Sequence, residues 1–182
     1  MSLLDDLLAD AEDDRLAAAS KAYRDARFDD AADRDAAVGW ITANPHANAL
    51  LLLLALRREA PDAYATIPAG ARASVLAAAL AQRAVLNDFG WIGERGAGHD
   101  HEAGQALLEL GEAAVPSLRP LLDDRSEAPL DGSEEATLAE ELGLRRADFA
   151  YRYLARIAGR DPEFDNDPAV RDEQIARLRS EL

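Results

Sequence analysis

Apolar positions recur along this chain at helical spacing. Leu4, Leu7, Leu8 and Ala11 fall at i, i+3, i+4 and i+7, with Asp5, Asp6 and Asp10 on the other face, which predicts a helix over residues 3–28. A second helix is predicted from Ala31 to Ala43, with Trp40 among apolar neighbours and read as core. Asn44-Pro45 marks a boundary: Asn44 is expected to cap the following helix, and Pro45 fits its first turn. That third helix runs to about Glu59. Its stretch from Leu50 to Leu54 is too apolar for one stripe, so burial on several sides is expected. Pro61 and Pro68-Ala69-Gly70 punctuate the chain before an Ala-rich helix from Ala71 to Asn87. Residues Asp88 to Asp100 hold four glycines and read as an ordered loop anchored by Phe89 and Trp91.

Beyond that loop, His101 to Leu110 places Ala106, Leu107 and Leu110 on one helical face, and Gly111 ends it. Ala113 to Leu122 is predicted as a short helix containing Pro116. A loop with Pro129 and Gly132 leads to Ser133, a cap for a helix from Glu134 to Leu144. Arg145 to Ala158 carries Phe149, Tyr153 and Ile157 at spacings of four, and Gly159 closes it. An acidic loop from Asp161 to Pro168 precedes a terminal helix, Ala169 to Leu182. No segment alternates long enough to predict a strand.

The composition agrees with a helical chain. Alanine (40) and leucine (27) dominate the 182 residues, and hydrophobic residues make up 48%. Cysteine is absent, which excludes disulfides, thiolate zinc sites and cysteine nucleophiles. The formal charge of -15 argues against a nucleic-acid surface, which needs clustered Lys and Arg. The longest apolar run, Ala49 to Leu56, is far below the roughly 20 residues of a membrane span. The first residues show no basic, apolar leader, so the cytoplasm is the expected location. Acidity is concentrated: residues 87–144 hold 14 acids against 3 bases, while residues 145–182 balance at 8 against 8. Such a region repels anions and attracts cations or basic protein surfaces.

Residues 104–124, Gly-Gln-Ala-Leu-Leu-Glu-Leu-Gly-Glu-Ala-Ala-Val-Pro-Ser-Leu-Arg-Pro-Leu-Leu-Asp-Asp, resemble a HEAT repeat. A first helix ends in Ala-Leu-x-x-Leu-Gly; a second has a Pro and a Leu-Leu end, then Asp. Residues 145–159 look like the next repeat's opening helix, with Arg145-Arg146 where Val-Arg is usual. A 20-residue insertion, about 125–144, separates the two where the family has a tight turn. The match covers roughly residues 101–159. The stretch at 132–137 before such a helix also resembles bacterial helical proteins. The resemblance implies an all-α, right-handed stack of antiparallel hairpins in which neighbours bury each other's apolar faces. It implies protein binding far more often than catalysis.

Candidate chemistry is sparse. His99-Asp100-His101-Glu102 is the one cluster with metal-ligand types; His99 and His101 could hold a divalent ion with Asp88, Glu94 or Glu134 completing the shell. The simpler reading is a helix start, with Asp100 as cap and Glu102 at the positive end. Gly93 to Gly98 lacks the preceding strand and the Lys of a phosphate loop. Glu134-Glu135 with Glu140-Glu141 could pair carboxylates, or form a solvated helix face. Arg145, Arg146, Arg152 and Arg156 put positive charge on one helix, with Asp148 and Arg152 spaced as an i, i+4 pair. Their expected use is pairing with the acidic insertion, an anion site being the alternative. None of the seven serines sits in a nucleophile motif.

The expectation is therefore a single helical domain over 1–182, divergent in 1–100 and HEAT-like in 101–182. It would bind a protein partner, a basic one being favoured by the charge, as adaptor or inhibitor, through Asp88, Trp91, Glu94, Glu134, Glu135, Arg145 and Arg146. The alternatives are a metal-dependent enzyme or metal binder using His99 and His101, and a self-associating scaffold. No cofactor is required by the first reading.

Overall fold

Asp30 starts the first helix by a simple local rule. Its backbone is extended, and its carboxylate accepts from the Ala32 amide at 2.8 Å, satisfying one of the donors a helix start leaves open. The computed structural model describes residues 23, 25–82, 102–128, 140–160, 162 and 165–182. The chain divides into two compact units, residues 1–79 and 80–182.

In the first unit, helix α1 spans Ala31–Ala43, a 3-10 turn spans Ala47–Ala49, and α2 spans Leu50–Glu59. Helix α3 is Pro61–Thr66 and α4 is Ala69–Gln82, which carries the chain across the division. Every residue of α2 from Leu50 to Leu56 is buried, as its uninterrupted apolar run demands. Helices α1 and α3 pack against it. Pro61 opens α3, where a missing amide costs nothing. Two arginines close the edges over aromatic faces: Arg58 lies 4.4 Å from the Tyr23 ring centroid and Arg72 lies 4.7 Å from that of Tyr64.

Three expectations are corrected here. Residues 26–29 are not helical, so the first predicted helix ends earlier than residue 28. Asn44 does not cap the next helix. It ends α1, where both its amide and its side chain donate to the Trp40 carbonyl, at 2.9 Å each. Trp40 is half-buried instead of core, and its ring meets exposed His46 edge-on at 5.4 Å. Ala37 and Ile41 are the buried residues of α1, one turn apart on the face that meets α2.

In the second unit, α5 spans Glu102–Leu110. The helix predicted over Ala113–Leu122 is broken into a 3-10 turn (Gly111–Ala114), a four-residue α6 (Val115–Leu118) and a second 3-10 turn (Arg119–Asp123). Two prolines are the reason: Pro116 and Pro120 have no amide to bond the carbonyl four residues back, so the α pattern is interrupted at each. Helix α7, Arg146–Ile157, is the central element and packs on α5, α6, the second 3-10 turn and α8, Pro168–Glu181. It buries Phe149, Tyr153 and Leu154 together with Ala147, Ala150 and Ala155. At its end Gly159 takes φ +75. The Gly159 and Arg160 amides then bond the Arg156 and Ala155 carbonyls at 2.9 Å each, a cap that requires a left-handed residue. The α5–α7 crossing is close: a Cβ added to Gly104 would lie 2.7 Å from the Tyr153 hydroxyl. Among the described residues there is no strand, only one antiparallel bridge between Glu127 and Arg145. The described chain is all-α.

Candidate functional site

Of the residues singled out in the sequence, Arg145 and Arg146 are described. Asp88, Trp91, Glu94, His99, His101, Glu134 and Glu135 lie outside the described residues. The two arginines stand at the start of α7, where the chain returns from the insertion, and the backbone there is tied to the chain that enters it. The Arg146 amide donates to the Ser126 carbonyl and Ala147 to that of Asp124, both at 3.0 Å, and Ala128 donates to Leu144 at 3.1 Å. Residues 124–128 and 144–147 thus form a closed stem.

Side chains lock this stem. Asp148, three residues into α7 and 1% exposed, turns its carboxylate back over the helix start. It accepts from the Arg145 amide at 2.8 Å and from that guanidinium at 2.9 and 3.1 Å. A second cation reaches it from α8: Arg171 Nε lies 3.3 Å from Asp148 Oδ1. Arg171 is itself 2% exposed. Its terminal nitrogens donate to the carbonyls of Asp165 (2.6 Å), Leu142 (2.9 Å) and Gly143 (3.1 Å). Buried charges are tolerated only with this degree of pairing, because removal from water is otherwise expensive. Asp172 extends the network outward, accepting from Arg145 at 2.8 Å and pairing with Arg125 at 2.7 Å. Arg146 reaches the Asp124 carboxylate at 3.2 Å and the Ser126 hydroxyl at 3.0 Å.

The electrostatics follow these contacts. Hydrogen bonding from Arg145 holds the Asp172 carboxyl below its ordinary range. The Ser126 hydroxyl, helped by Arg146, does the same for Asp124. Bonding to Asp148 and then Asp172 raises the Arg145 guanidinium above its usual value. Both arginines are therefore committed within the protein. Among the described residues their partners are Asp124, Asp148 and, on α8, Asp172, and Asp148 is held by Arg145 and Arg171. At the other described edge of the acidic stretch, burial pushes the Glu102 carboxyl up, and its Oε2 is buried without a hydrogen-bond partner.

Acidic side chains stand exposed beside this network. Glu127, Glu140 and Glu141 are exposed at the two arms of the stem, and none forms an ion pair with a described residue. Among the described residues no three His, Cys, Asp or Glu side chains are grouped to hold a metal ion. No described helix is long and apolar enough to cross a membrane. Compared with family models, curated proteins and solved structures, the chain matches none.

Sequence reasoning missed Arg171, Asp172 and Asp124 as partners in this network. A signal for Arg171 was present. Arg171, Ile175 and Leu178 sit at i, i+4 and i+7, so a charged residue occupies the buried stripe of α8.

Proposed function

We propose that this protein is a HEAT-like helical binding protein that captures a basic protein partner through the acidic surface of residues 87–144. The observation that supports this is how charge is divided around the stem. The described cations of the stem, Arg125, Arg145 and Arg146, pair with Asp172, Asp148 and Asp124 and not with the exposed Glu127, Glu140 and Glu141. Charge of one sign gathered on one surface draws in an oppositely charged partner and speeds its docking. The wider excess of 14 acids over 3 bases across residues 87–144 has the same sign. Adaptor and inhibitor roles both follow from such a surface.

The test is capture from native lysate at low salt, comparing the full chain with a variant carrying Glu127→Lys, Glu140→Lys and Glu141→Lys. The reading expects one basic protein retained by the native chain, released by moderate salt and lost with the charge reversal. Retention that survives the reversal, or the absence of any specific partner, would overturn it.

A further inference from the structure

Helix α8 is attached to its unit more by charge than by apolar contact. Three of its 14 residues are buried, and one of those is Arg171; Ile175 and Leu178 are the other two. Helix α7 buries seven of 12. The remaining attachments of α8 are polar. Asp172 pairs with Arg145 and Arg125, Arg179 with Asp123 and Glu181 with Arg160, while Arg119 donates to the Leu182 carbonyl. Pairs of this exposed kind add little to stability and are screened by salt. Dehydration offsets much of the attraction between buried Arg171 and Asp148, and Asp148 has its bonds from Arg145 independently of α8. Arg171 is thus a buried tether of α8, and the pairs around it are the part of the attachment that salt screens. It also sits where release has consequences, because the same guanidinium holds the Leu142 and Gly143 carbonyls and steadies the carboxylate that caps α7.

We propose that α8 is a salt-releasable latch: it opens as a unit before the rest of its domain unfolds, and its opening loosens the stem at residues 142–148. The inference goes beyond the partner-binding reading and does not rest on it, since no partner is needed to see it.

Residue-resolved hydrogen exchange of the full chain at low and high sodium chloride tests it. Amides of α8 are expected to exchange at least about tenfold faster than those of α7 at low salt, and the ratio should widen at high salt. The Arg145 amide, which donates to Asp148, should follow α8. Asp172→Asn removes an exposed pair with Arg125 and a half-buried one with Arg145 and should widen the ratio by itself. Arg171→Met should widen it further; if that variant does not fold, Asp172→Asn carries the test. A single common protection for α7 and α8, or a ratio unmoved by both salt and Asp172→Asn, would overturn the latch.

Discussion

Gly104 offers a sharp test of the α5–α7 packing, because two effects of known size oppose each other there. In a helix interior, alanine is favoured over glycine by about 0.5–1 kcal/mol. At Gly104, however, the added methyl would lie 2.7 Å from the Tyr153 hydroxyl oxygen, well inside the 3.4 Å at which ordinary contact begins. Tyr153 is fully buried and its ring is rigid, so it cannot swing aside into solvent. Overpacking of this kind costs about 1–3 kcal/mol. Gly104→Ala should therefore destabilise by about 0.5–2 kcal/mol once the propensity gain is subtracted. Removing the hydroxyl changes the sign. The next atoms, Tyr153 Cε1 and Cζ, lie at 3.5 Å, which is comfortable contact. In a Tyr153→Phe background the same Gly104→Ala change should be neutral or stabilising by up to about 1 kcal/mol. Tyr153→Phe loses whatever its hydroxyl contributes, but that term cancels in the double-mutant cycle. Urea denaturation of the four proteins, followed by far-ultraviolet circular dichroism, measures the coupling. An equal penalty in both backgrounds, or no penalty in either, would show that the helices do not cross as described.

Two further outcomes are expected. Asp30→Ala should destabilise the first unit by about 1 kcal/mol through loss of the carboxylate cap on α1, with Asp30→Asn close to native; equal stability of Asp30→Ala in denaturation would refute the cap. For acid stability, Asp124 and Asp172 have carboxyls lowered in the folded state, so their contribution is complete above the unfolded value of about 3.9 and is lost as pH falls through the lower folded values. The second unit should lose a modest part of its stability as pH falls below about 4, and Asp124→Asn with Asp172→Asn should flatten that decline; an acid limb unchanged in the double variant would rule it out.

The helical class was legible because it depends on local rules. The spacing of apolar residues placed α1 at Ala31–Ala43, and the unbroken leucines of Leu50–Leu54 announced a helix buried all round. Gly159 as a helix end is equally local. The misreadings share another cause. Asn44 fits the end of one helix as well as the start of the next, and only the position of the Trp40 carbonyl chooses between them. Trp40 looked like core because its neighbours are apolar, yet the face of α1 that meets α2 is set by Ala37 and Ile41. The breaks at Pro116 and Pro120 were hidden by a convincing apolar pattern across Ala113–Leu122, since periodicity does not count missing amides.

The site divides along the same line. Composition and charge by themselves determined an acidic, cysteine-free helical protein with its negative charge gathered between residues 87 and 144. They also marked Arg145 and Arg146 as the first cations after that region. What those arginines do was decided by tertiary structure. Their partners include Asp124, some 20 residues earlier, and Asp172, 27 residues later, and no local spacing pairs groups so far apart. The stripe Arg171, Ile175, Leu178 marks Arg171 for burial, but only the packing of α7 and α8 brings Asp148, Leu142, Gly143 and Asp165 around it. Hydrophobic period is a property of neighbours along the chain, whereas a buried charge is stable only where distant segments supply every partner at once.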